Sequence, residues 1–313
     1  MSIPKIKKEK ENMNMTNYVI ITDSGCDLTA AQVKDLDITV IPITFSVNGV
    51  NYKSTPDNPE YPAVKFYADL KAGASVSTSA LNPYEIEDVF RPFLEEGKDI
   101  IYISFSSALS SICQNTKIVA EELSEEFADR KISVVDSLCA SCGQGLLVYL
   151  CANKRLEGTE FDELVAYAEG VKGSICHEFT VDDLGQLKRG GRISSMAALV
   201  GSMLQIKPML YVSPEGKLVS YDKARGRNSS IKMLKDKIIA EAADKNETPI
   251  FISHGDCEDD VNMLINMIKD ELPEKKFIAN CIGPVIGSHS GYKTLAVFTV
   301  GNNERGAERE KKQ

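Results

Sequence analysis

The sequence predicts an α/β protein of two domains, an N-terminal domain built on a parallel sheet and a C-terminal domain built on a mixed sheet; the ligand cleft expected between them rests on a resemblance taken up below. Three observations carry that prediction. Short β-branched runs alternate with helical patterns through the first half, the order that gives a parallel sheet covered by helices. From about Phe161 the pattern changes to period-two strands and a hairpin, which requires antiparallel pairing and hence a mixed sheet. The chain has 313 residues, more than the roughly 100–200 of one ordinary domain. The expected domains are residues 17–174 and 175–302, and the polar ends, 1–16 and 303–313, are expected to be disordered.

The first domain opens with strand Tyr18–Thr22 and a helix capped by Asp27 or Thr29. A strand over Ile38–Val47 ends at the Asn48-Gly49 turn, and a helix follows from about Glu60 to Leu70. At Asn82-Pro83 a good N-cap precedes the residue best suited to a first helical turn, so a helix runs from there to Glu96-Gly97. Strand Ile100–Phe105, helix Leu109–Glu125, strand Ile132–Val135 and helix Ala140–Lys154 complete the alternating series. Helix Phe161–Val171 leads into the second domain, whose first strand, Cys176–Asp182, alternates as a strand with one wet face should, and His177, among polar neighbours, is expected to be exposed. A basic glycine turn (Leu187–Ile193), an apolar helix (Ser194–Leu204), a hairpin across Ser213-Pro214-Glu215-Gly216 and helix Ser229–Ala243 come next. Strand Pro249–Ser253, helix Glu258–Leu272, strand Phe277–Ile282 and strand Leu295–Val300 close the domain. No internal repeat is present at a fixed period.

Composition narrows the function. The net charge is −9, Trp is absent and the basic residues are scattered, which argues against nucleic acid as a partner. No stretch of about 18 apolar residues occurs and no apolar segment follows the basic start, so a cytoplasmic protein without an integral membrane segment is expected. The eight cysteines are dispersed, as reduced and partly buried thiols would be. Cys139-Ala140-Ser141-Cys142 has the spacing of a redox pair, but the same residues suit close helix packing.

Several strands run straight into hydroxyl-rich turns: Thr22-Asp23-Ser24, Ser104-Phe105-Ser106-Ser107 and Asp136-Ser137, with Thr78-Ser79 and Gly287-Ser288-His289-Ser290-Gly291 elsewhere. In a parallel α/β sheet this edge gathers ligands, because helix N-termini and hydroxyls offer donors there. A small anionic head group is the expected ligand feature.

These segments carry a resemblance. Thr22-Asp23-Ser24, Thr78-Ser79, Ser104–Ser110, Val135-Asp136-Ser137, Leu187–Ile193 and Gly283–Gly291 occur in the order found in the DegV family, over Tyr18 to Gly301. Ala80 stands where that family often has Gln, and Leu109-Ser110-Ser111-Ile112 replaces the usual Leu-Ser-Gly-Thr. The resemblance implies a protein, not itself an enzyme, that holds one long-chain fatty acid between its domains and presents the carboxylate to a separate ATP-dependent fatty acid kinase. No cofactor other than the bound fatty acid is implied. Carried over by motif, Thr78, Ser106, Ser107 and His289 face the head group.

The residues themselves support such a site. A carboxylate in an apolar tunnel needs several donors, and Thr78, Ser79, Ser106, Ser107 and His289 offer them. Gly287 beside His289 frees the backbone for close approach, whereas Arg189 and Arg192 in their glycine turn suit a docking surface or a phosphate contact. The helix Met196–Leu204 suits a wall for the acyl tail as well as it suits ordinary core. Asp23 and Asp136 are expected to bond their own turns, and His254 is as consistent with a turn as with the cleft. Two other classes stay open: an acyl-ester hydrolase using Ser106, His289 and Asp23 or Asp136, without a Gly-x-Ser-x-Gly elbow, and a binding protein for a small polar ligand.

Overall fold

The computed structural model describes residues 17–182, 184–192, 205–242 and 247–306. Its first sheet is parallel, in the order β2-β1-β6-β7, formed by β1 (Tyr18–Asp23), β2 (Thr39–Ile41), β6 (Asp99–Ser104) and β7 (Ile132–Asp136). The expected strand over Ile38–Val47 is broken at Pro42, which has no N–H to give to a ladder. Beyond the break, β3 (Ile43–Val47) leaves the parallel sheet and pairs antiparallel with β4 (Val50–Ser54) and β5 (Val76–Ser79). This three-stranded sheet was not legible in the alternation of the first domain.

The helices begin where side chains can satisfy their free N–H groups. Thr29 and Gln32 form a reciprocal capping box at α1 (Ala30–Asp35), and Asn82 and Glu85 form another at α3 (Pro83–Glu95), with Pro83 in the first turn. Between them lies α2 (Ala63–Lys71). The helix expected from Leu109 begins three residues later, as α4 (Ile112–Glu126). Next, α5 (Cys142–Leu156) is almost wholly buried, and α6 (Phe161–Val171) packs beside it.

The second sheet is mixed and six-stranded, in the order β10-β9-β8-β13-β11-β12. It comprises β8 (Ile175–Thr180), β9 (Ile206–Val212), β10 (Leu218–Arg225), β11 (Ile250–His254), β12 (Phe277–Cys281) and β13 (Leu295–Val300). Only β11 and β12 pair parallel. One face is covered by α8 (Arg227–Glu241) and α9 (Glu258–Lys269), the other by α5 from the first half. Apolar side chains of α5 such as Leu146, Leu147 and Val148 are fully buried in the core that spans both halves; each stabilises the fold by about 1.5–3 kcal/mol.

That sandwiching corrects one expectation. Strand β8 has no wet face: α8 covers the side of Glu178 and Thr180, and His177, which shares its side with Phe179, is buried against α5. The tail expected to be disordered from 303 is placed as far as Gly306, with Arg305 buried and its backbone N–H donating to Gly173 O. The expected apolar helix Ser194–Leu204 lies wholly outside the described residues, which resume at Gln205.

Candidate functional site

A cavity of about 900 Å³, counting its open mouth, lies between the two halves. Its polar rim is made by three pieces of chain. Strand β5, an edge of the small antiparallel sheet, brings Thr78 and Ser79; the turn after β6 brings Ser110; and the short helix α10 (Pro284–Ser290) brings His289 and Ser290. Exposed Arg192, just after α7 (Gly185–Arg189), completes the rim. The remaining wall is mostly apolar, with Phe105, Leu187, Phe179, Val212 and Phe298 prominent.

His289 is the centre of that rim. Its Nε2 shares a 2.8 Å hydrogen bond with Thr78 Oγ1, and its Nδ1 is buried with no partner among the described residues. Burial, aided by the neighbouring Arg192 charge, pushes the imidazole down to about 4, so the ring is neutral near pH 7. Gly190 makes room for it: a Cβ at that position would lie 2.4 Å from His289 Nδ1. Gly287, which is not among the cavity-lining residues, sets how closely helix α10 packs. A Cβ on Gly287 would meet Phe66 and the Tyr67 hydroxyl at 2.8 Å, so the absent side chain lets α10 close on α2.

The other sequence candidates are placed differently. The Ser106 hydroxyl is buried, donates to Gly216 O at 2.9 Å and accepts from Ala108 N, which fastens the turn to the β9–β10 hairpin. Ser107 is exposed outside the cavity, its N–H donating to Asp136 Oδ1. The tight turn from Ser106 carries the chain onward, so Ser110, three residues later, is the one that meets the cavity. Ser110 was passed over because its motif lacks the expected Gly, and the sequence pattern started the helix at Leu109, three residues before it begins. Arg189 is exposed, does not line the cavity, and donates to Gln186 Oε1.

Asp23 and Asp136 bond their own turns only in part: Asp23 accepts from Gly25 N but also from Phe105 N and Tyr102 OH, and Asp136 from Leu138 N but also from Ser107 N, so both also tie their turns to the one after β6. With Ser106 committed to Gly216 O, the Ser106, His289 and Asp set of a hydrolase is not assembled. His254 accepts from Cys257 N in a turn and stays off the cavity wall. Cys139 and Cys142 are buried free thiols pushed up by burial, which disfavours the reactive thiolate.

Behind the cavity a buried polar chain joins the halves. Asp27, in the left-handed conformation at φ 52°, accepts from Gly283 N at 2.9 Å and from the Ser141 hydroxyl. The Ser141 oxygen lies 2.9 Å from that of Ser253 on β11, and Asn280 Nδ2 donates to Asp27 O. Burial raises the Asp27 carboxyl to about 7. Among the described residues no group of three or more His, Cys, Asp or Glu could hold a metal ion, and no helix is long and apolar enough to cross a membrane.

This architecture has counterparts. A DegV domain-containing protein of Clostridium perfringens is 43% identical over 290 residues, covering 93% of this chain and 99% of its own. Two solved structures match closely in shape. One, described as a fatty acid binding DegV family protein of Streptococcus agalactiae, has a TM-score of 0.81 at 27% identity, covering 92% of this chain and all of its own. The other, described under fatty acid binding of a DegV family protein of Thermus thermophilus, has a TM-score of 0.82 at 26% identity, covering 91% of this chain and all of its own. The model of the family described as "uncharacterised protein, DegV family" matches residues 17–302, and the chain belongs to the DegV family.

Proposed function

We propose that this protein binds a long-chain fatty acid in the cavity between its halves, with the carboxylate at Thr78, Ser110 and His289 and the acyl chain along the apolar wall. The observation that carries this is the Thr78–His289 pair at the rim of an otherwise apolar cavity. An amphiphile with one anionic end matches that division. A carboxylate arriving beside His289 would also favour its protonation and turn a neutral hydrogen bond into a charge-assisted one, worth about 1.5–3 kcal/mol. Ser79 and Ser290, also on the rim, offer further hydroxyls.

The bound carboxylate is presented to a separate kinase that supplies ATP and Mg²⁺ and forms the acyl phosphate. Two features support this step. The family resemblance implies it, and the exposed Arg189 and Arg192 flank the head-group end, where their planar cations suit acidic or phosphate groups of a partner.

The test is lipid release from the purified protein followed by mass spectrometry. The wild type is expected to yield about one fatty acid per chain. His289→Ala, Thr78→Ala and Ser110→Ala are expected to weaken uptake of added fatty acid by about ten-fold or more. Normal uptake in all three variants would overturn the head-group assignment. Charge reversal in Arg189→Glu should slow phosphorylation by the kinase while sparing binding. Formation of acyl phosphate from ATP by the purified chain alone would overturn the division of labour.

A further inference from the structure

The register of the second sheet shows where the cavity ends. Strands β8 and β13 pair with Phe179 opposite Ala296 and His177 opposite Phe298, and all four residues line the cavity. The next pair on the same face, Ile175 and Val300, does not. Followed inward from Thr294, the lining therefore stops at His177 and Phe298, whose rings pack edge-on with centroids 5.2 Å apart. The Ser141 and Ser253 hydroxyls on this wall are already bonded, to Asp27 and to each other.

Beyond that end lies the side chain of Arg305, only 3% exposed. Gly301 N donates to Ser174 O at 2.7 Å and Arg305 N to Gly173 O at 2.9 Å, so Gly301–Gly306 forms a strap across the start of β8. From this strap Arg305 Nη1 reaches within 3.4 Å of Cys139 Sγ and 3.3 Å of Ile175 O and His177 Nδ1. Cys139 precedes the lining residue Ala140, so the guanidinium backs the wall behind both Ala140 and His177. Its Nε and Nη2 are buried with no acceptor among the described residues. A buried cation with so few partners gains little from its own bonds; the strap is what holds it there. Arg305 also lies beyond residue 302, where the match to the DegV family ends.

We propose that Arg305 is the stop that limits the length of the acyl chain this cavity accepts. The inference rests on the fatty-acid reading above and adds a chain-length determinant to it. With the carboxylate at the rim, the ω end points along β8 and β13 toward His177 and Phe298, and the arginine side chain denies it the space between Cys139 and β8. Each further methylene that fits inside tightens binding about four-fold. A methylene that meets the stop has to displace packed side chains instead, so affinity falls.

The test is displacement of a fluorescent fatty acid from the delipidated full-length protein by saturated fatty acids from dodecanoic to docosanoic acid. On the wild type, affinity is expected to rise about four-fold per methylene up to a break and then to fall. In Arg305→Ala the break should move to chains longer by about two carbons or more. In Arg305→Met, which keeps the bulk and drops the buried charge, the break should stay where it is. No break in the wild type, or an unmoved one in Arg305→Ala, would overturn the proposal while fatty acid binding stands; no binding at any length would overturn both. Should the alanine variant fail to fold, the wild type still decides. A saturated fatty acid of the break length with a diazirine at its ω end should, on illumination, label the peptides carrying Cys139, His177 or Arg305. Labelling confined to other parts of the wall would overturn the proposal.

Discussion

His289 and His177 both line the cavity and both are held neutral, yet one stands on a seven-residue helix at the rim and the other in the middle of a six-stranded sheet. His289 pairs through Nε2 with a side chain, Thr78, and is half-buried beside an exposed arginine; His177 is tied through Nδ1 to its own strand and wedged between Phe298 and α5. The difference teaches where adjustment is possible. At the rim, an arriving anion can change the charge of the ring and reorder its bonds. In the sheet, a fixed guanidinium and tight packing against α5 leave the ring no such freedom.

The same substitution placed against each ring should expose that difference most strongly. In Gly143→Ala the new methyl would overlap the buried His177 ring, which has nowhere to go, so a loss of about 2–3 kcal/mol is expected in urea unfolding. In Gly190→Ala the methyl would meet His289 Nδ1, a ring near the surface that can swing aside. Stability should then fall by only about 1 kcal/mol, with the larger damage to fatty acid uptake. Equal stability losses in the two variants would break the contrast.

Acid should sharpen the comparison through His289. Its folded pKa lies near 4, below the unfolded value near 6.5, so the stability it contributes is fully present above about 6.5 and is lost as pH falls toward 4. Asp27 acts with the opposite sign, because its folded pKa is raised to about 7: its contribution is present below the unfolded value near 4 and is lost as pH rises toward 7. The informative quantity is therefore the difference between variants. His289→Ala should lose less stability than the wild type between pH 7 and pH 5, measured by denaturant unfolding. An unchanged pH slope would contradict a neutral, buried His289.

The smallest effects are expected in the serine turn. Ser106→Ala removes a buried bond to Gly216 O and should lower stability by about 1 kcal/mol with little change in uptake. Ser107→Ala, at an exposed position, should stay within about 0.5 kcal/mol of wild type and bind normally. A large binding defect in Ser107→Ala would return that residue to the head-group site.

What could be read from the sequence, and what could not, follows the range of the forces involved. The alternating pattern, the capped start at Asn82-Pro83 and the hairpin at Ser213–Gly216 are local, and they appear where their residues placed them. Thr78 and His289 were marked by motif, but their pairing joins residues 211 apart, and local spacing could not show it. Ser106 and Ser107 were indistinguishable by residue type from Ser110; only the turn geometry, which depends on the distant hairpin, decides which hydroxyl meets the cavity. His177 was misjudged for a different reason. Its polar neighbours suggested exposure, but it shares a strand face with Phe179, and that face is closed by α5, whose packing no local pattern reports.

The buried chain through Asp27, Ser141 and Ser253 bears on timing. It fastens the first half to β11 and, through Gly283, to the start of α10, directly behind the wall that the acyl chain would touch. Separating the halves widely would break these bonds in a place water does not readily reach, so such openings are rare events. Exchange of a deeply seated ligand should then be governed by how often the halves part, giving long residence times even where equilibrium affinity is ordinary. If the proposed function holds, such a protein would keep its ligand from one encounter to the next, and Asp27→Asn, which alters one link of the chain, is expected to shorten the dwell.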